Sequence, residues 1–141
     1  MTLRDRVIAG FGPEDSEQFT VIQWADAMGI DVWHVPNSTW TKSPMQRMKN
    51  TLLGVRAGIA DLWFPIAGIG LVVVELKRAN IKGQPKGRVS PEQQAWLDKL
   101  NACPGVQAQV CFGAGECIKY VESFTVIRPS VGQRTGPELV F

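Results

Sequence analysis

Two apolar segments separated by a glycine-containing turn most constrain what this chain can fold into. Residues 59–65 and 71–78 are rich in β-branched, aromatic and leucine side chains, and Gly68 lies midway between them. This pattern predicts a β-hairpin whose turn is centred on Gly68. Alternate residues of a strand share one face, so one face of the hairpin is predicted to be core. That face consists of Ala60, Leu62, Phe64, Val72, Val74 and Leu76.

The opposite face of this hairpin carries charged residues. With the turn at Gly68, Asp61 lies directly across from Glu75, and Lys77 lies beside Glu75 on the same face. Like charges opposed across a sheet are destabilising, so two carboxylates here need a reason to remain ionised. A divalent cation supplies one, because Mg²⁺ and Mn²⁺ prefer oxygen ligands from one or two carboxylates, water and phosphate.

A cation held by Asp61 and Glu75 is the minimal equipment for metal-assisted phosphodiester hydrolysis. The backbone carbonyl of Leu76, which lies between Glu75 and Lys77, is a further candidate ligand. Lys77 would orient an attacking water or offset charge that develops on the phosphate. A structural alternative exists, because Glu-x-Lys tripeptides are common on solvated strands: Asp61 and Lys77 would then form a surface ion pair, with Glu75 solvated.

The charge of the chain is concentrated in its middle. Residues 42–88 contain nine basic side chains and only two acidic ones, Asp61 and Glu75, for a net charge of +7, whereas the remainder has a net charge of −5. This asymmetry predicts one face for a polyanion. Trp40 would either stack on an unpaired base or pack against the domain. The candidate phosphate contacts besides Lys77 are Lys42, Arg47, Lys49, Arg56, Arg78, Lys82, Lys86 and Arg88.

The remaining segments predict a single mixed α/β domain over residues 1–141. A helix is expected from Ser16, its predicted cap, to Gly29, and another after Ser90. Residues 37–57 are polar and poorly periodic, and they are expected to form a long loop with at most one helical turn. The other expected elements, in chain order, are strands in "IDVWHV" and "VQAQVCF", a short helix in "GECIKYVESF" and an irregular tail over residues 124–141.

Composition argues against several classes of protein. No apolar run approaches the roughly 20 residues of a membrane-spanning helix, and the first residues lack the apolar centre of a secretory signal. Cys103, Cys111 and Cys117 are odd in number and lack C-x-x-C spacing, which indicates neither a disulfide framework nor a zinc site. We therefore expect a reducing cytoplasmic compartment and no membrane partner. His34, the sole histidine, is expected to be structural.

These motifs resemble a known nuclease family. "GIADLWFP" followed by "VVVELKRA" is similar to the D…E-x-K core of the PD-(D/E)XK superfamily and, more narrowly, to the VRR-NUC family of small phage and bacterial nucleases. Gly58 to Asp61 stand where the family reads G-x-P-D, with Ala60 in place of proline. "SPEQQAW" matches the S-P-x-Q motif after the catalytic strand, and Asn37 follows the first strand in "HVPN". The resemblance covers about residues 16–112.

The resemblance implies a restriction-endonuclease-like α/β fold, in which an α-β-β-β-α-β core forms a central mixed sheet flanked by helices. It implies a Mg²⁺- or Mn²⁺-dependent deoxyribonuclease whose catalytic residues are Asp61, Glu75, Lys77 and Gln93. Glu17 on the first helix would complete a metal site with Asp61, Glu75 and Leu76, and Asn37 would contact nucleic acid. For a stand-alone member it further implies a homodimer that cuts branched DNA, such as four-way junctions or flaps, in a bacterial or phage-infected cytoplasm.

Some alternatives stay open at the level of the sequence. Gln93, near a helix start, would hold the attacking water, bond Lys77 or lie on the surface without a role. The chain would alternatively be a nucleic-acid binding module with no catalysis on the same fold, or a sequence-specific restriction-type endonuclease whose loop 37–57 reads bases.

Overall fold

The computed structural model describes residues 1–36, 42–84 and 87–125. The predicted nucleic-acid contacts Asn37, Trp40 and Lys86, and nearly all of the predicted irregular tail, lie outside these ranges. The elements are, in chain order, α1 (Leu3–Ala9), α2 (Pro13–Met28), β1 (Trp33–His34), α3 (Pro44–Leu52), β2 (Leu62–Ile66), β3 (Gly70–Lys77), α4 (Pro91–Asn101), β4 (Val106–Phe112) and α5 (Ala114–Thr125).

The four strands form one mixed sheet in the order β1-β2-β3-β4. The β1–β2 and β2–β3 pairs are antiparallel, and β3 pairs with β4 in parallel through the crossover helix α4. The pairing of Leu62 with Val74 and of Ile66 with Gly70 confirms the hairpin register centred on Gly68. The series α2-β1-β2-β3-α4-β4 confirms the expected α-β-β-β-α-β core, into which α3 is inserted between β1 and β2.

Both faces of this sheet are buried, whereas the sequence predicted one apolar face. A first core of Leu62, Phe64, Val72 and Val74 packs against buried side chains of α2 and α5. A second core on the other face consists of Ala60, Val73, Leu97 and Ala108, beneath α4. The assignment of Ala60 to the first face was wrong, because the backbone preceding β2 at Leu62 does not continue the alternation of the strand.

Two helices differ from the sequence-based expectation. The helix predicted to begin at a Ser16 cap begins at Pro13, with Gly12 as its N-cap, because proline suits the first helical position. Its predicted end is confirmed, since Gly29 adopts a left-handed conformation with φ of 71°. Helix α1, capped by Thr2, was not predicted.

The predicted loop over residues 37–57 contains a nine-residue helix, α3. Ser43 caps it by accepting a hydrogen bond from the Gln46 amide at 3.2 Å, and Pro44 occupies the first turn. The expectation of at most one helical turn was therefore wrong. The Ser-Pro start of α3 is the same signal that correctly predicted α4 after Ser90.

The junction between β4 and α5 depends on one glycine. Gly113 has a φ of 91°, and a Cβ added there would lie 2.9 Å from the Ala79 Cβ and 3.2 Å from a Glu17 carboxylate oxygen. Positive φ disfavours side chains other than glycine. The space and the backbone conformation at this point therefore both require glycine.

We predict that Gly113→Ala lowers the free energy of unfolding by about 1–3 kcal/mol, because it adds backbone strain and a steric clash. Urea denaturation of the variant measures this loss. The matched control is Gly115→Ala, two residues along in α5, where an added Cβ meets nothing within 4 Å. That substitution should be neutral or stabilising, so equal losses in the two variants would contradict the explanation.

Candidate active site

One polar cavity lies at the end of the sheet where β1 ends, β2 begins and β3 ends. Its volume is about 310 Å³. Three of the predicted catalytic residues, Asp61, Glu75 and Lys77, line it together. The remaining lining residues are Glu14, Asp15, Glu17, Gln18, His34 and Leu76.

Glu75 is the most buried charged side chain of this cavity, at 3% exposed. Its Oε2 lies 3.4 Å from the Lys77 ammonium nitrogen and accepts a hydrogen bond from Gln93 Nε2 at 2.9 Å. Its Oε1 is buried and meets no hydrogen-bond donor in the described part of the chain, and the neighbouring Asp61 carboxyl group is a hydrogen-bond partner of Glu75 when one of the two is protonated. Burial, followed by the charge of Asp61, raises the pKa of Glu75 to about 8. The fold thus keeps the Glu75 carboxyl group buried, although its charged form is better solvated in water.

Asp61 is fixed by the backbone on both sides. Its Oδ2 accepts a hydrogen bond from the Leu76 amide at 2.8 Å. Its own carbonyl accepts one from the Val35 amide at 2.8 Å and lies 3.1 Å from Nδ1 of His34. Burial raises the pKa of Asp61, and the Leu76 amide opposes that shift. The predicted role of Leu76 concerned its carbonyl, but its amide is what orients the aspartate.

Gln93 joins the catalytic strand to the start of α4. Its Oε1 accepts hydrogen bonds from the Lys77 ammonium at 3.1 Å and the Ser90 amide at 2.9 Å, while its Nε2 donates to Glu75. The backbone amide of Gln93 in turn donates to the Ser90 hydroxyl at 3.1 Å, which completes a capping box. Of the alternatives left open by the sequence, the structure shows the bond to Lys77.

The loop before Asp61 lies directly against this start of α4. A Cβ added at Gly58 would come within 2.9 Å of the Gln93 amide nitrogen, and its φ is 85°. The Trp96 indole donates to the Ala57 carbonyl at 3.0 Å. The glycine of the G-x-P-D-like motif therefore permits the approach that brings Asp61 and Gln93 to the same site.

Glu17 lines the cavity from α2, but both of its oxygens already accept backbone hydrogen bonds. Oε2 accepts from the Ala79 amide at 3.0 Å and Oε1 from the Ala114 amide at 3.1 Å. Glu17 thereby connects α2 to the end of β3 and to the start of α5. Its proposed role as a metal ligand stays a prediction.

Sequence reasoning did not single out several polar residues of the cavity. Glu14 lies one turn before Glu17 on α2, and Gln18 follows, so the three share a helix face. His34 was expected to be structural; the contact of its ring with the Asp61 carbonyl fits that role, and the ring also lines the cavity. The helical spacing of Glu14 and Glu17 was the one available signal for these residues.

The carboxylates that line the cavity are candidate donors for a cation. The described residues contain no group of three or more His, Cys, Asp or Glu side chains arranged to hold a metal ion. Asp61 and Glu75 nevertheless offer two neighbouring carboxylates, and the buried Oε1 of Glu75 meets no hydrogen-bond donor among the described residues. Hard oxygen ligands of this kind suit Mg²⁺ or Mn²⁺, with water and phosphate supplying the rest.

The predicted phosphate contacts that the structure describes lie near the surface. Lys42, Arg47 and Lys49 are exposed on or beside α3, and Arg56 follows it, donating to the Thr51 carbonyl at 3.0 Å. Arg78 is half-buried at the end of β3. The loop between β3 and α4 contributes two further exposed side chains, Lys82 and Arg88.

We predict that Glu75→Gln stabilises the protein in EDTA, and increasingly so as pH rises. The raised pKa means that the folded protein binds this proton more tightly than the unfolded chain does. The contribution of Glu75 to wild-type stability is therefore fully present below pH 4.5 and is lost as pH rises through about 8. Glutamine does not titrate, so the variant should gain about 1–3 kcal/mol above pH 8, measured by urea denaturation at several pH values.

The control for this experiment is Glu122→Gln, which removes an exposed carboxylate on α5. It should show no comparable gain at high pH. A gain for Glu75→Gln that is the same at pH 5 and pH 8.5 would contradict the assigned effect of burial.

Comparison with known proteins gives one family. The model of the VRR-NUC domain matches residues 12–115. A solved structure titled "VRR_NUC domain protein" has a TM-score of 0.63 and 22% identity, covering 81% of this chain and 88% of its own. A second, titled "VRR_NUC domain", has a TM-score of 0.54 and 18% identity, covering 81% and 99%. No curated protein matches the chain.

The structural likeness confirms the fold, and the family model covers more than half of the sequence. Among residues 1–36, 42–84 and 87–125, no helix is both long and apolar enough to cross a membrane. Because the family model matches residues 12–115, the chain belongs to the VRR-NUC family and carries a nuclease-type domain.

Proposed function

We propose that this protein is a Mg²⁺- or Mn²⁺-dependent endonuclease that hydrolyses DNA phosphodiester bonds. One observation carries the proposal: the buried Glu75 carboxylate lies beside Asp61, one of its oxygens is held by Lys77 and Gln93, and the other meets no hydrogen-bond donor in the described part of the chain. Leaving a buried carboxylate oxygen unpaired is costly. A site that keeps this arrangement is suited to binding a cation at that oxygen.

The cation would be held by Asp61 and Glu75, with Leu76 and Glu17 as further predicted ligands. When bound, Mg²⁺ or Mn²⁺ supplies Lewis-acid polarisation of a phosphate oxygen and lowers the pKa of water. The chain supplies the positions of these ligands, because Asp61 is oriented by the Leu76 amide and Glu75 by Gln93.

Lys77 has the geometry of a group that offsets negative charge. Its ammonium is held 3.4 Å from Glu75 and 3.1 Å from Gln93, and its side chain is 15% exposed. Two acceptors fix the ammonium before substrate binds, so little reorganisation is needed when charge develops on the phosphate. Gln93 is in this account a positioning residue, since it holds both members of the pair.

The substrate is proposed to be branched DNA, such as a four-way junction or flap, cut by a homodimer in the cytoplasm. The nuclease-type domain and the net charge of +7 over residues 42–88 support a nucleic-acid substrate. The branch preference, the homodimer and the compartment follow the resemblance of the sequence to stand-alone family members.

We predict that the wild type cleaves labelled DNA with Mg²⁺ or Mn²⁺ and does not in EDTA. The panel comprises a four-way junction, a flap, single-stranded DNA and linear duplex. Glu75→Gln and Lys77→Met should each lower the rate at least about a hundredfold, because each removes a group needed for the charge arrangement. Glu122→Gln, at an exposed position on α5 that is not part of the cavity lining, should retain the wild-type rate.

Calorimetric titration with Mn²⁺ distinguishes this function from a binding module. A nuclease should bind the ion in the wild type and lose that binding in Glu75→Gln. Metal-indifferent DNA binding with no cleavage of any substrate would instead support the non-catalytic module, and cleavage of one linear sequence alone would support a restriction-type enzyme.

We predict that DNA affinity falls steeply with salt, because phosphate contacts release counterions. Lys82→Gln and Arg88→Gln, in the exposed loop between β3 and α4, should each reduce the slope of log K against log salt by about 1 for duplex DNA. The matched control is Lys119→Gln, which removes an exposed lysine of α5 outside the basic segment. An affinity that does not change between low and moderate salt would rule out the basic face.

A further inference from the structure

Helix α3 presents an apolar face to solvent. Met45, Met48 and Leu52 recur at helical spacing, and Leu53 follows directly. These side chains are 81%, 60%, 75% and 72% exposed, respectively. With Pro44 and Lys49 they line a shallow groove of about 600 Å³. A contiguous exposed apolar patch of this kind marks an interaction surface.

The helix holds this face without support from a core. None of its residues is buried. Its own hydrogen bonds order it: Ser43 caps the start, Gln46 donates to Asn50 at 2.8 Å, and the Thr51 hydroxyl donates to the Arg47 carbonyl at 3.0 Å. The polar side of α3 thus forms hydrogen bonds within the helix, while its apolar side is exposed and available to a partner.

The charge around this face selects the class of partner. Residues 42–56 contain four basic side chains and no acidic one, for a net charge of +4. A two-fold interface places the same patch of both copies together, so self-association through α3 would oppose two segments of like charge. A polyanion with exposed apolar rings has the complementary chemistry, and nucleic acid at unstacked bases presents both.

The helix is also tethered close to the active site. Six residue steps separate Leu52 from Gly58, a reach of at most about 21 Å. Gly58 in turn lies against the Gln93 amide, and Gln93 bonds Glu75 and Lys77. The short tether therefore keeps the Leu52 end of the apolar face within about 21 Å of Gly58, which itself contacts the start of α4 beside the site.

We infer that the apolar face of α3 inserts at unstacked bases, so that Met45, Met48 and Leu52 contact the bases while Lys42 and Lys49 bind the flanking phosphates. This inference rests on the proposed function and deepens it, because it assigns the selection of branched or unpaired DNA to α3. Apolar side chains that enter between bases require steps that open readily, which a branch point supplies and a continuous duplex does not.

The test uses the full chain with Glu75→Gln in EDTA, so that binding is measured without cleavage. Four-way junction and linear duplex DNA carry 2-aminopurine at the branch point or at the equivalent position. Binding to the junction should raise the 2-aminopurine fluorescence, because the base unstacks. Adding Met45→Gln and Met48→Gln together should abolish that rise and reduce the ratio of junction to duplex affinity about tenfold.

Two control variants separate the apolar from the electrostatic part of this contact. Lys49→Gln should weaken binding to both DNAs alike and leave their ratio unchanged. Leu3→Gln, at a 70% exposed apolar position on α1, should change neither readout. Circular dichroism checks that each variant is folded.

Three results would overturn the inference. One is a fluorescence rise and affinity ratio unaffected by the double substitution. Another is a change in sedimentation from dimer to monomer when Met45 and Met48 are both replaced by glutamine, which would make α3 an interface between copies. The third is that the wild type binds anionic phospholipid vesicles, and that the double substitution abolishes this binding but leaves the junction preference unchanged. Failure of the nuclease proposal is seen separately, as absence of cleavage by the wild type while the binding readouts persist.

Discussion

The burial of Glu75 is the constraint on which the rest of the site depends. A carboxylate at 3% exposure in the central strand β3 is held at a cost that the surrounding residues only partly offset. Lys77 and Gln93 contact one oxygen, and among the residues that the structure describes no donor reaches the other. The positions of α4, of the loop before Asp61 and of the strand β3 are all set so that these groups meet at one carboxylate. The sheet can support this because both of its faces are covered, which fixes β3 between two cores.

Glu17 links this site to the fold in a different way. A single side chain of α2 accepts hydrogen bonds from backbone amides at the end of β3 and at the start of α5. Carboxylates that accept backbone amides are strong, charge-assisted acceptors. The close approach at Gly113 is what lets these two amides reach the same carboxylate. The acidic helix residue of the family motif therefore has a demonstrable structural contact whatever its role toward a cation.

Much of the fold and of the site follows from local sequence signals. The register of the hairpin could be predicted because Gly68 and the alternation of side chains determine it, and this placed Glu75 opposite Asp61 and beside Lys77. The second core could not, because Val73 and Leu97 meet only after α4 crosses the sheet. Helix α3 carried the same Ser-Pro start signal as α4, and it was missed because polar and basic side chains dominate residues 37–57 and obscure the helical spacing of its few apolar ones. Glu14 could have been found from its helical spacing to Glu17, whereas His34 reaches the cavity through tertiary packing, which no spacing in the sequence reports.

The side chain of Gln93 both caps α4 and holds residues of the site, so local unfolding of the helix start also disrupts the site. Its Oε1 caps the first turn of α4 through Ser90 and also holds Lys77. Helix ends fray more readily than helix centres, with opening free energies well below that of the whole domain. When the first turn of α4 opens, the hydrogen bond from the Gln93 side-chain amide to Glu75 breaks at the same time. The hydrogen bonds of Gln93 to Glu75 and to Lys77 therefore depend on the local stability of one helical turn as well as on the stability of the whole domain.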